Sequence, residues 1–154
     1  MSDTDLNNSP GREPLRFLVF SASLRKNSLN TRLIKLAAEV IEKNGSRVDF
    51  ADMKEFDCPS YNQDVETEGT FPDGTTEFRN RILANDAIII SSPEFNSSVP
   101  GFLKNAIDWV SRFRPQPFNE RHVLLMSVAV NGRWQPRTLV FKNSAGASWG
   151  KSLS

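Results

Sequence analysis

Residues 86–92 read Asp-Ala-Ile-Ile-Ile-Ser-Ser (DAIIISS), and this short run decides the architecture. The consecutive apolar residues Ala87 to Ile90 leave no polar side for solvent. The run therefore reads as a strand covered on both faces, the pattern of a parallel central strand. Parallel neighbours need crossover connections, so helices are expected on either side of it in the chain.

Working outward, the flanks supply those helices and further strands. Upstream, Leu15 to Ser21 (LRFLVFS) reads as a strand. Leu29, Leu33, Leu36, Ala37, Val40 and Ile41 then recur at helical spacing, with Ser28 or Asn30 available as N-cap and Gly45 placed to end the helix. Arg47 to Ala51 is a second strand, Asp52 to Gly74 a polar loop, and Thr75 to Ala84 a helix whose inward side is Phe78, Ile82 and Leu83. Downstream, Pro100 suits the first turn of a helix running to about Arg112, with Leu103, Ile107 and Val110 turned inward. Arg121 to Val130 follows as a fourth strand centred on VLLM. This alternation of strand and helix predicts a doubly wound α/β domain, three layers deep, with right-handed crossovers and a parallel sheet.

Composition narrows what such a domain does. The 154 residues carry 19 Lys+Arg against 18 Asp+Glu, a net charge of +1 without the strong basic excess of a dedicated nucleic-acid binder. No apolar run exceeds four residues, far below the ~20 of a membrane-crossing helix, so no membrane partner is expected. The polar lead, Met1 to Pro14, is expected to be disordered and lacks the apolar stretch of a secretory signal. Cys58 is the single cysteine, which excludes an internal disulfide and a cysteine-cluster metal site and points to a reducing cytoplasm. His122, the single histidine, has no second histidine or cysteine to form a metal site and reads as solvated or structural. Glu94 has no evident carboxylate partner for acid–base work, Lys104 and Asp108 have the spacing of a helix-face ion pair, and Trp109 reads as core.

Open α/β sheets bind ligands beyond the carboxyl ends of their strands, so the loops after the first, third and fourth strands hold the candidate chemistry. The first, SASLRKNSLN (residues 21–30), joins a buried strand to a helix N-terminus. Its hydroxyls, amides and Arg25 suit an anion such as phosphate, as would the helix dipole; a capped surface turn is the alternative. Neither the glycine pattern of a dinucleotide-binding turn nor that of a triphosphate-binding loop is present. The second loop, Ser91 to Gly101, is restrained by Pro93 and Pro100 and suits a ledge for a flat heterocycle with polar edges.

These two loops carry a resemblance. SASLRKNSLN (21–30) and SPEFNSSVPGFLKNAIDW (92–109), with PSYNQD (59–64) between them, are similar to the NADPH-dependent FMN reductases among the flavodoxin-like proteins, a family that includes quinone, chromate and azo-dye reductases. The similarity runs from about Leu15 to Ser127. It implies a flavodoxin-like fold, FMN as cofactor, NAD(P)H as electron donor, and a quinone, metal oxyanion, azo compound or free flavin as small-molecule acceptor. It further implies a homodimer or homotetramer. Ser23, Arg25, Ser28 and Asn30 match the FMN phosphate loop, Pro93, Glu94, Phe95 and Asn96 the segment lining the flavin ring, and Ser127 the third flavin loop. No protein acid or base is implied as catalytic, because the cofactor carries the chemistry. A non-enzymatic flavodoxin-like carrier and an inactive or weakly active flavin-binding fragment are the alternatives.

The sequence departs from the family pattern mildly at Ala22, often glycine, and Phe95, often tyrosine. The larger departure follows residue 130. Asn131 to Ser154 holds four basic residues, no acidic one, and Trp134 and Trp149, where the family has a glycine-rich turn, a helix and a last strand. The expected organisation is thus a lead (1–14), a flavodoxin-like FMN-binding domain (15–130), and an atypical basic tail (131–154) in which the last helix and strand are missing or replaced. A changed reading frame or truncation would account for the tail, as would a variant in which Thr138 to Phe141 completes the sheet.

Overall fold

The computed structural model describes residues 13–128. Four strands, β1 (Arg16–Ser21), β2 (Arg47–Asp52), β3 (Ala87–Ser91) and β4 (His122–Met126), form one sheet in the order β2-β1-β3-β4. Every pairing is parallel, with Phe17 to Ser21 opposite Ala87 to Ser91, and Ala87 to Ser91 opposite His122 to Met126. The helices are α1 (Leu29–Lys43), a short α2 (Gln63–Thr67), α3 (Asp73–Ala84) and α4 (Gly101–Val110).

Strand alternation sorts the core onto two faces. Leu18, Phe20, Ala51, Ile88, Ile90 and Val123 pack with Phe78 and Ile82 of α3 and with Leu103, Ala106 and Val110 of α4. Phe20 meets Phe56 and Phe78 edge-on at 5.2 and 5.6 Å, while Phe56 and Phe78 stack at 4.5 Å. Full burial of each such ring stabilises the fold by roughly 1.5–3 kcal/mol. On the opposite face Val19 and Ile89 pack against Ile34 and Ala38 of α1. Helices on both faces of a parallel sheet make the three-layer, flavodoxin-like α/β fold that the sequence leads one to expect.

Several local expectations need correction. The buried side of α1 is Asn30, Ile34 and Ala38, whereas Leu29, Leu36 and Val40 are exposed. The helix carries two apolar ridges, and the one rich in leucine is not the one that meets the sheet. In α3, Thr75 is buried beside Phe78 and Ile82, and Leu83 is exposed. Ile107 is only half-buried in α4, where Ala106 and Trp109 lie inward instead. Residues 52–74 are not wholly loop. Asp52 and Glu55 form a reciprocal capping box that starts a single turn of 3₁₀ helix, Met53–Phe56, and α2 follows. Gly74 is required where α3 crosses this turn, because a Cβ there would clash with the Asp57 carbonyl and lie 2.8 Å from the Phe56 carbonyl carbon. Arg81 fastens the same region, reaching Asp49 and Glu55 at 2.5 Å and Glu77 at 2.7 Å. Lys104 pairs with Asp108 as expected, at 2.5 Å.

β4 ends at Met126, with Ser127 and Val128 outside it, while Ala129 and Val130 of the expected strand lie outside the described residues. Among the described residues it is the outer strand beyond β3. Trp134, Thr138 to Phe141 and Trp149 lie outside the described residues. No helix among the described residues is long and apolar enough to cross a membrane.

Candidate functional site

The strand order reverses direction between β1 and β3: the chain leaves β1 to place β2 on one side and returns to place β3 on the other. That switch opens a crevice at the carboxyl ends of the two strands. Pairing continues past the strands into the loops, with Ala22 N–H donating to Ser91 O and Ser92 N–H to Met126 O, each at 2.8 Å. The roots of the three candidate loops therefore lie side by side.

The first loop turns through Asn27, at φ 56°, and enters α1 at Ser28. Asparagine tolerates this left-handed conformation because its short amide bonds locally. Ser28 is the N-cap, its Oγ accepting from Asn30 N–H at 3.2 Å, which settles the choice left open between Ser28 and Asn30. Ser23 Oγ accepts from Arg25 N–H at 3.4 Å. Arg25 is exposed beside the helix start, whereas Ser28 and Asn30 are buried. Ser21 Oγ, buried at the root of the loop, has no hydrogen-bond partner among the described residues.

The second loop is shaped by its backbone. Phe95 N–H donates to Ser98 O at 2.9 Å and Ser98 N–H to Phe95 O at 3.1 Å. Between them Asn96 and Ser97 both have positive φ, 52° and 61°, the arrangement of a type I′ hairpin turn. Pro93 is half-buried, and Glu94, Phe95 and Asn96 project to solvent with Phe95 53% exposed. An exposed ring on a stiff turn offers an apolar ledge. Ser127, in the third loop, is half-buried directly after β4.

Two sets of contacts at these loops were not legible in the sequence. Asn30 Oδ1 accepts from Ser91 Oγ at 2.9 Å and from Val128 N–H at 3.2 Å, joining all three loops. A buried asparagine in a helical first turn gives no sequence signal of partners 61 and 98 residues away. Asn105 and Trp109 on α4 hold the PSYNQD segment: Trp109 Nε1–H and Asn105 Nδ2–H donate to Pro59 O at 2.8 and 2.9 Å, and Asn105 Oδ1 accepts from Tyr61 N–H at 2.8 Å. Trp109 is also fully buried, as expected of a core residue.

Beside this segment Tyr61 O–H donates to Glu66, which Arg112 also grips at 2.8 Å. The Tyr61 hydrogen bond, then Arg112, holds the Glu66 carboxyl below its usual range, and the bond to Glu66 raises the Tyr61 phenol. Burial pushes the Cys58 thiol up, which keeps it protonated and a poor nucleophile. His122 is exposed at the start of β4, remote along the strand from the carboxyl-end loops. Among the described residues no group of three or more His, Cys, Asp or Glu side chains is placed to hold a metal ion.

A parallel sheet with a polar, cationic strand-to-helix turn and an exposed aromatic ring on a hairpin turn at its switch point is a flavodoxin-like arrangement. The comparisons specify the family. The model of the NADPH-dependent FMN reductases matches residues 15–138, and the chain belongs to that family. It is 36% identical over 126 residues to a probable NADPH:quinone oxidoreductase of Oryza sativa, covering 80% of this chain and 61% of that protein. It is also 36% identical over 117 residues to a NAD(P)H-dependent FMN reductase of Pseudomonas aeruginosa, covering 76% of this chain and 61% of the relative. Among solved structures, FerB, a flavoenzyme NAD(P)H:(acceptor) oxidoreductase of Paracoccus denitrificans, superposes with a TM-score of 0.63 at 32% identity, covering 75% of this chain and 61% of that one. The chain thus spans about three fifths of the length of these relatives.

Proposed function

We propose that this protein is an FMN-dependent NAD(P)H oxidoreductase that binds FMN across the carboxyl ends of β1, β3 and β4 and delivers electrons to a small-molecule acceptor. The observation that carries the reading is the exposed Arg25 beside the capped start of α1, at the switch point of the sheet. The donor set fits the cofactor: a terminal phosphate needs donors and positive potential, which the Ser23 and Ser28 hydroxyls, the guanidinium and the helix dipole supply together. The unpartnered Ser21 Oγ adds a polar group at the same root.

In this reading Ser23, Arg25, Ser28 and Asn30 serve the phosphate side. Pro93, Glu94, Phe95 and Asn96 line the ring, their hairpin turn holding backbone N–H groups in fixed directions, and Ser127 closes the third side. When bound, the flavin supplies two-electron chemistry between reduced nicotinamide and acceptor. The chain's own part is to bind and orient: Arg25 anchors charge, and the Phe95 ring excludes water from one edge. The acceptors are quinones, as the names of the relatives suggest, with metal oxyanions, azo compounds and free flavin in the same range of electron demand. Family resemblance supports a homodimer or homotetramer, and the single, largely protonated Cys58 suits a reducing cytoplasm.

Anaerobic addition of NADPH or NADH to the FMN-loaded chain tests the activity. The flavin absorbance band is expected to bleach before any acceptor is added, and to return on adding a quinone. A band that stays unchanged with both nucleotides rejects the reductase reading, while retained FMN in the same sample assigns the chain as a carrier.

A further inference from the structure

The geometry points to Asn30 as a positioning residue whose side-chain oxygen brackets the three ligand loops together. This rests on the flavin reading of the site for its consequence, though not for its geometry. Asn30 is 4% exposed and sits one residue inside α1. Its backbone N–H is taken by the Ser28 cap, and its Oδ1 accepts two hydrogen bonds, from Ser91 Oγ at the end of β3 and from Val128 N–H just beyond Ser127.

An amide oxygen has two lone pairs, so both are committed inside the protein. A phosphate oxygen, itself an acceptor, gains nothing from Oδ1. Whatever its Nδ2 donates to the phosphate, Asn30 therefore has a second task, carried by Oδ1. One residue of the first loop fixes the side chain at the root of the second and the peptide that follows Ser127 in the third. Without that acceptor, the buried Ser91 hydroxyl and the Val128 amide lose their partner together, and a buried polar group left unpaired is costly. The effect falls on the spacing of the loops rather than on the phosphate.

The distinguishing feature is the acceptor, which Asp preserves and Ala does not. Asn30→Asp keeps an oxygen for both donors and places its charge in the first turn of α1, where the dipole favours it. The same charge opposes a phosphate. Hydrogen–deuterium exchange at the Val128 amide reads the bracket without any flavin, and fluorescence titration with FMN and with riboflavin reads its consequence. In Asn30→Ala, Val128 exchange is expected to accelerate about tenfold or more, with FMN and riboflavin weakened by similar factors. In Asn30→Asp, Val128 protection and riboflavin affinity should stay near wild type while FMN weakens.

Unchanged Val128 exchange in Asn30→Ala overturns the proposal. So does a loss confined to FMN in that variant, which would make Asn30 a phosphate ligand only. Should Asn30→Ala fail to fold, recovery of folding in Asn30→Asp supports the bracket, and failure of both overturns it. Wild-type chain that binds neither flavin would refute the cofactor reading, yet the exchange measurement would still decide the bracket.

Discussion

The loops after β1 and β3 start from adjacent, hydrogen-bonded strand ends, yet they are built by different means. In the first, side chains make the structure: Ser23 and Ser28 accept from backbone N–H groups, and Asn30 reaches across to Ser91 and Val128. In the second, the backbone does so, through the paired hydrogen bonds of Phe95 and Ser98 around two residues of positive φ. The difference teaches which residues are free for a ligand. The first loop commits Ser23, Ser28 and Asn30 to hydrogen bonds with the protein and leaves Arg25, Lys26 and Asn27 outward. The second commits the two serines at its root, Ser91 to Asn30 and Ser92 to Pro93 O, and presents Glu94, Phe95 and Asn96. On the proposed reading, charge recognition and ring contact are thereby separated onto two supports.

The largest expected effect comes from removing the outward charge. Arg25→Ala should weaken FMN by about tenfold or more, the lower part of the roughly 1.5–3 kcal/mol of a charge-assisted bond, since an exposed guanidinium is screened. Riboflavin, without the phosphate, should bind nearly as before, and melting temperature should not move. Titration of both flavins checks this; equal losses for the two would place the phosphate away from the first loop and erase the division of labour.

A smaller effect, on stability rather than affinity, probes the backbone-built loop. Ser97 holds φ 61° without being glycine or asparagine. Ser97→Val should destabilise the fold by about 1 kcal/mol, because a branched Cβ crowds the following carbonyl in this region. Ser97→Gly should be close to neutral, relief of that crowding offsetting the greater freedom of glycine in the unfolded chain. Denaturant unfolding of the two variants gives the comparison, and equal stabilities would mean that the turn is not held at positive φ in solution.

Much of this was legible in the sequence, and the exceptions share a physical cause. DAIIISS announces a central parallel strand because burial on both faces leaves four consecutive apolar residues, Ala87 to Ile90, and β3 lies between β1 and β4. Ser28 and Gly45 bracket α1 because caps act through neighbours in the chain. By contrast, Leu29, Leu36 and Val40 mislead, since periodicity reports that a ridge is apolar and not which ridge the sheet meets. The 3₁₀ turn at Met53–Phe56 hides in a polar stretch although its capping-box pair, Asp52 and Glu55, is there to be read. Composition singles out the candidate loops, but the bond from Asn30 to Val128 is a tertiary event spanning 98 positions and leaves no local pattern.

Ser28 gives the sharpest division between a hydroxyl that builds the first loop and one that binds. Its Oγ accepts from Asn30 N–H at the start of α1, so Ser28→Ala should cost about 0.5–1 kcal/mol of stability even without ligand. The hydroxyl proton is still available to a phosphate, so the same variant should also weaken FMN modestly. Those two losses are separable through Asp, which caps a helix as well as serine but cannot donate and brings a negative charge. Ser28→Asp should therefore retain the wild-type unfolding midpoint and lose FMN affinity more than Ser28→Ala, with riboflavin little changed in either. If Ser28→Asp instead binds FMN as tightly as wild type, Ser28 serves only as a cap, and the phosphate contact of the first loop contracts to Ser23 and Arg25.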